Sequence, residues 1–193
     1  MPQRSRSADR TNSPEGDLRQ RALHAIATKP GIHLRELARV LEVSLNGVIH
    51  HLRVLEDQGA VIGISDGHYR RYFSRDLVLP AESRRLFEED RKLLAECRRS
   101  MSLAIVLNLA VEGRLRHGEL RKRVRRSKST TSYHLARLVA SGHVRIVRES
   151  STEGYELVNR TRVVALLVTF SETLRDRVDA FADLWSSLAS SDA

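Results

Sequence analysis

One stretch of this chain repeats another, and that limits the folds open to it. Residues 32–62 align with residues 115–145 without a gap at a constant offset of 83, and eight of the 31 positions are identical. The identities are Glu36 with Glu119, Leu37 with Leu120, Ser44 with Ser127, His51 with His134, Leu52 with Leu135, Leu55 with Leu138, Gly59 with Gly142 and Val61 with Val144. The shared apolar positions fall at helical spacing, and the shared glycine follows a helix in each copy. Such a duplication implies two small similar units rather than one large core, and 193 residues suffice for two.

Both copies obey the same local grammar. An apolar helix comes first, over residues 17–28 and roughly 101–112, and a short helix follows over 34–41 and 117–124. A three-residue break, Glu42-Val43-Ser44 or Arg125-Arg126-Ser127, ends in a serine suited to cap the next helix. The third helix runs to Gly59 or Gly142. In the first copy Val48, Leu52 and Leu55 form its inward stripe and leave Asn46, His50 and Arg53 facing out. In the second copy the outward set is Lys128, Ser129, Thr130, Ser132, Tyr133 and Arg137. A hairpin is expected after each glycine: residues 60–65 and 68–73 around a two-residue Asp66-Gly67 turn, then 143–149 and 155–159 around a looser loop at 150–154.

Three helices with a tight break between the last two, then a hairpin, make a winged helix-turn-helix. The expected fold class is mainly α with small β-hairpin wings: two such domains plus a long C-terminal helix. Residues 44–59 (SLNGVIHHLRVLEDQG) and 127–142 (SKSTTSYHLARLVASG) resemble the recognition-helix signature of ArsR/MarR-type prokaryotic transcriptional regulators, and the tandem arrangement is similar to that of some archaeal ones. The resemblance covers residues 17–160 and implies a DNA-binding regulator whose third helix enters the major groove while the wing touches backbone or minor groove. ArsR-type metal sensors carry cysteine pairs or acid and histidine clusters that this sequence lacks, so metal sensing is not implied.

Charge distinguishes the copies. The net charge is +9 with an isoelectric point near 10.5, which points first to nucleic acid as a partner. Residues 114–148 hold eleven Lys or Arg and one acid, whereas residues 17–76 hold nine basic residues and seven acids. In the second copy Arg121, Lys122, Arg123, Arg125, Arg126, Lys128, Arg145 and Arg148 are therefore candidates for phosphate contact, since each neutralised phosphate releases condensed counterions. The run at 121–126 also reads as a solvated helix face. Ser129, Thr130, Ser132, Tyr133 and Arg137 are placed to meet bases, although Tyr133 equally suits packing on the wing. In the first copy Asn46 suits adenine and Ile49 a thymine methyl, with His50 and Arg53 beside them and Arg70 and Arg71 on the wing. That helix is apolar enough to dock on protein instead.

Other chemistry finds little support. The lone Cys97 cannot form an intrachain disulfide or a thiolate metal site. His50-His51 looks like a metal pair, but helical neighbours diverge by about 100°, and His51 shares its repeat position with His134. His117-Gly118-Glu119 matches only half of a zinc-deaminase signature. No phosphate-cradling glycine loop or nucleophile elbow occurs. No metal, cofactor or catalysis is expected.

Residues 1–16 read as a disordered arm, 17–77 and 101–160 as the two winged domains, 78–100 as a linker helix bridging them, and 161–189 as a dimerisation helix. In that last segment Leu167, Phe170, Leu174, Val178, Phe181, Trp185 and Leu188 follow at steps of three or four, with the latter five taken as the homodimer seam. No apolar run approaches membrane-spanning length. The sequence thus reads as a cytoplasmic, nucleoid-associated dimer that binds double-stranded DNA sequence-specifically and regulates transcription, mainly through its second unit. Two other readings stay open: a tandem winged-helix interaction module of a transcription or replication complex, and a non-specific architectural DNA binder.

Overall fold

A left-handed residue followed two positions later by a serine cap organises each half of the chain. The computed structural model describes residues 14–65, 69–79, 84–149 and 152–175, and divides the chain into units meeting between Leu77 and Val78. The chain is mainly helical with small antiparallel sheets, in winged helix-turn-helix form.

In the first unit α1 (Pro14–Thr28) leads to β1 (Ile32–His33), α2 (Leu34–Leu41) and α3 (Leu45–Asp57), then β2 (Val61–Ser65) and β3 (Arg70–Ser74). The antiparallel sheet has the order β1-β3-β2. α2 stops because Glu42 turns left-handed (φ 59°, ψ 37°), which points its N–H back at the carbonyls of Ala38 and Arg39. α3 starts because Ser44 Oγ accepts the Gly47 N–H at 3.3 Å. Ala22, Ile26, Ile32, Leu37, Val48, Leu52 and Leu55 form the core. Each such large side chain gains about 1.5–3 kcal/mol on burial.

The second unit holds β4 (Val78–Leu79), β5 (Arg84–Arg85), α4 (Glu88–Cys97), α5 (Ser100–Glu112), β6 (Arg114–Leu115), α6 (His117–Val124), α7 (Lys128–Ala140), β7 (Val144–Glu149), β8 (Thr152–Leu157), α8 (Arg160–Thr169) and α9 (Ser171–Arg175). Its second sheet runs β6-β8-β7. α5 is its axis. Every residue from 102 to 110 is buried, so this helix is covered on all sides, with α4, α6, α7 and α8 packed on it. Two polar groups on α5 are satisfied locally: Asn108 Nδ2 donates to the Ala104 carbonyl at 2.8 Å, and Ser102 Oγ meets His134 Nδ1 of α7 at 3.0 Å. Cys97 is buried, and burial pushes its thiol pKa up.

Several expectations need correction. Pro14–Gly16 belong to α1, since proline is at home in a first helical turn, and the rest of the expected arm lies outside the described residues. The linker helix is shorter than expected: residues 84–85 are strand, and α4 starts only at Glu88, where Asp90 accepts the Phe87 N–H at 2.6 Å. α4 packs within the second unit, on α5 and α8. Each wing sheet also has a third strand, β1 or β6, too short to give a periodic signal. The wings differ in register as well. Ser65 pairs with Arg70, so four residues rather than two separate the first pair of strands, and Glu149 pairs with Thr152, so the second turn is tighter than the sequence suggests.

The long C-terminal helix is not continuous. α8 ends at Thr169, Phe170 leaves helical geometry (φ −105°, ψ 18°), and α9 resumes at Ser171. Thr169 and Ser171 are weak helix formers, and Thr173 Oγ1 bonds the Phe170 carbonyl at 2.9 Å. The break lets Leu167, Phe170 and Leu174 all be buried in their own unit, and Arg98 donates to the Thr173 carbonyl at 3.0 Å. Leu174 is thus a core residue, not part of a dimer seam, while Val178, Phe181, Trp185 and Leu188 lie outside the described residues.

Because a non-glycine residue in the left-handed region carries a steric cost of about 1–2 kcal/mol, Glu42→Gly is expected to be more stable than Glu42→Ala by about 1 kcal/mol. Urea denaturation of the two variants measures the difference, and equal midpoints would show that the turn carries no such cost.

Candidate nucleic-acid interface

The basic residues of the second unit divide into two populations. Arg114, Arg116, Arg123, Arg137, Arg145 and Arg148 each sit in an ion pair, with Glu149, Glu119, Glu112, Glu96, Glu156 and Glu153 respectively. Arg121, Lys122, Arg125, Arg126 and Lys128 are exposed and have no ion pair among the described residues. All five lie between the last turns of α6 and the first residue of α7. Val124 and Leu120 fix that segment from beneath, both buried. Arg125 occupies the left-handed position (φ 50°, ψ 49°) that Glu42 holds in the first unit.

The start of α7 is rich in hydroxyls. Ser127 Oγ accepts the Thr130 N–H at 3.2 Å and lies 3.0 Å from Ser129 Oγ and 2.8 Å from Thr130 Oγ1. Ser132 meets His117 Nε2 at 2.9 Å, which ties α7 to α6. Tyr133 is exposed; its ring stands edge-on to His134 and under the Arg137 guanidinium at 5.9 Å, so it does not pack on the wing.

Arg137 has a structural task. Its Nη2 is 2.6 Å from Glu96 Oε1, and Arg99 reaches the same oxygen at 3.1 Å. Glu96 is buried, and its bond to Arg137 raises the arginine's pKa. The bridge anchors α7 to α4 and withdraws Arg137 from the base-reading role expected of it. Beside it, burial first and then Arg99 lower the pKa of His134.

The wing of the second unit is laced by surface pairs. Arg145 Nε bonds Glu156 at 2.7 Å and Arg148 Nε bonds Glu153 at 3.4 Å. Exposed pairs of this kind are worth about 0.2–1 kcal/mol, so a phosphate can compete for the cation. Arg114, which sequence reasoning passed over, lies across Gly154 to reach the Val147 carbonyl at 3.1 Å. A Cβ on Gly154 would come within 2.6 Å of its Nε, which accounts for a glycine in the strand.

In the first unit Asn46, His50 and Arg53 are exposed on α3, and Leu45 beside them is 43% exposed. Arg70 crosses Gly63 to bond Glu56 at 2.6 Å. Arg71 departs from the expected DNA-facing position: it is buried and donates to the Gly31 carbonyl, just before β1, at 3.0 Å. His51 is buried midway along α3, edge-on to His50 at 5.3 Å. Among the described residues no group of three or more His, Cys, Asp or Glu is placed to hold a metal ion, and no helix is long and apolar enough to cross a membrane.

No curated protein matches this chain. Residues 16–86 match the family model HTH_HVO_0163_N, described as an N-terminal HTH domain. The match starts inside α1, takes in the rest of the first unit and runs past its boundary through β4 and β5. It supports a helix-turn-helix DNA-binding domain there, with α3 as the second helix of the motif.

Proposed function

We propose that the chain is a binding protein rather than an enzyme, that it binds double-stranded DNA sequence-specifically to regulate transcription, and that its second unit supplies most of the affinity. The observation that carries this reading is the cluster of five exposed cations at the α6–α7 turn that have no ion pair among the described residues. Phosphates dominate the affinity of such proteins, and the capped N-terminus of α7 adds backbone N–H donors. Ser129, Thr130 and Tyr133 then face base edges, Ser132 stays partly engaged by His117, and Arg145 and Arg148 exchange their carboxylate partners for the backbone. α3 takes a lesser share through Asn46, His50 and Arg53, with Arg70 on its wing. The duplicated winged units and the ArsR/MarR-like helices support regulation over mere coating of DNA. A cytoplasmic, nucleoid-associated setting goes with that reading.

The interaction-module reading predicts little dependence on salt. In fluorescence anisotropy with a duplex, replacing Arg125, Arg126 and Lys128 together by Ala is expected to lower the slope of log affinity against log salt by roughly 2.7 units, about 0.9 per lost phosphate contact. An unchanged slope would remove the α6–α7 turn from the interface. Competition by random-sequence DNA separates a regulator from an architectural binder.

Arg137→Ala tests the other population. It leaves buried Glu96 with Arg99 alone and is expected to destabilise the fold by about 1–3 kcal/mol in urea, with the salt slope unchanged. A fall in slope equal to that of Lys128→Ala would make Arg137 a phosphate contact instead.

The protein acts as a homodimer in this proposal, through Val178, Phe181, Trp185 and Leu188. Removing α8 would strip Val163, Leu166 and Leu167 from the core, so the informative cut falls after Arg175. Light scattering is expected to give a dimer for the full chain and a monomer for the truncated one. A full-length monomer at micromolar concentration would end the dimer proposal.

A further inference from the structure

A cavity of about 460 Å³ opens in the first unit where the start of α2 meets the wing, lined by His33, Leu34, Arg35, Tyr69, Arg70 and Tyr72. Rings and cations make up nearly all of that lining, and no carboxylate belongs to it among the described residues.

The rings are set by the backbone beside them. His33 Nδ1 accepts the Glu36 N–H at 3.3 Å, which caps α2 and holds the imidazole in one plane. Tyr69 lies against that imidazole, with ring centroids 5.2 Å apart and planes 21° from parallel, as in an offset stack. The buried Arg71 guanidinium stands 5.9 Å from the Tyr69 centroid. Tyr69 nevertheless stays 48% exposed at the cavity. A ring already held in a stack loses little freedom when a further ring joins it.

The cations differ in availability. Arg70 is held by Glu56, whereas Arg35 is exposed and has no ion pair among the described residues. Arg39, one turn further along α2, is exposed and without an ion pair in the same way. Residues four apart on a helix are neighbours, about 5–6 Å between Cβ atoms, so α2 carries two cations in file beside the rings.

The duplication shows how particular this arrangement is. At the offset of 83, Arg35, Tyr69 and Arg70 correspond to Gly118, Thr152 and Glu153, and the register agrees, since Tyr72 pairs with Ile32 as Tyr155 pairs with Leu115. The corresponding cavity of the second unit is lined by Arg114, Arg116, Glu119, Glu149 and Thr152, and each of its arginines is paired with one of its glutamates. That cavity has neither an aromatic lining nor a spare cation.

An exposed ring flanked by cations matches the chemistry of a nucleotide in a single strand, whose base stacks on aromatic side chains while its phosphates meet positive charge. A base reaches such a platform only when it is out of its own stack, so a paired duplex does not satisfy it. We propose that this cavity is a binding site for an unpaired nucleic-acid strand, with one base stacked on Tyr69 and the backbone phosphates following Arg35 and Arg39. The site stands independently of the duplex-binding reading, whose principal cations lie in the second unit.

Fluorescence anisotropy of the full-length chain with two end-labelled octamers of equal charge, oligothymidylate and its abasic counterpart, tests the site. The thymidine octamer is expected to bind about tenfold more tightly than the abasic one, Tyr69→Ala to bring that ratio within about two-fold of unity, and Tyr69→Phe to preserve it. Replacing Arg35 and Arg39 together by Ala is expected to lower the slope of log affinity against log salt by about 1.4 for both octamers, roughly 0.7 per phosphate on a single strand. Thymidine 5′-monophosphate, which brings one phosphate instead of a chain of them, is expected to compete at least about tenfold more weakly than the octamer. Equal affinity of the two octamers for the unaltered chain overturns the platform, and a ratio that survives Tyr69→Ala overturns its placement. An unchanged slope removes α2 from the path of the strand, and equal competition by the mononucleotide makes the ligand a free nucleotide instead. Duplex binding measured beside each variant is expected to keep the slope set by the second unit, which shows that Tyr69→Ala is folded; loss of duplex binding by the unaltered chain with the octamer ratio intact would end the duplex reading and leave this site standing.

Discussion

The angle between the second and third helices of each unit rests on two backbone devices. A residue in the left-handed region, Glu42 or Arg125, ends one helix, and two positions later a serine, Ser44 or Ser127, caps the next. Neither device depends on the core, yet both must be in place before Leu37 and Leu52, or Leu120 and Leu135, can share one. Once the break is fixed, the exposed face of the third helix is fixed too, because the inward stripe leaves no other rotation. The turn therefore decides which residues of the third helix are offered to a partner, and in the second unit it adds Arg125 and Arg126 of its own.

The units solve the same packing problem at different sizes. In the first, α1 is one-sided and the core closes with α2, α3 and the small sheet. In the second, α5 is apolar all round, and what α6 and α7 leave bare is covered by α4, α8 and β8. After the second wing the chain leaves helical geometry at Phe170, and Leu174 beyond the break is buried as well.

Much of this was legible in the sequence, and the reasons for what was not are physical. The offset of 83 placed α2, α3, α6 and α7 because helical periodicity and serine caps are local signals; Leu34 and His117 open one pair, Leu45 and Lys128 the other. β1 and β6 are two residues long and owe their pairing to the neighbouring strand, so no periodicity announces them. The continuous apolar steps from Leu167 to Leu174 are equally compatible with a straight helix and a broken one, and tertiary burial chose between them. The site was harder to read. Whether Arg71 and Arg137 face solvent depends on partners 40 and 41 residues away, Gly31 and Glu96, which no local pattern reveals.

The partition of cations follows from the same geometry. An arginine beside a carboxylate at the edge of the core is held by a bond that water screens poorly, whereas those at the α6–α7 break have no carboxylate partner among the described residues. Among the described acids of the second unit, Glu96 on α4, Glu112 at the end of α5, Glu119 at the start of α6 and Glu149, Glu153 and Glu156 along the wing each hold an arginine. The α6–α7 turn pairs with none of these acids. Its charge is left over from folding and open to an external anion, so in this unit the ion pairs that build the fold also delimit the surface on which a phosphate backbone can compete without first breaking one.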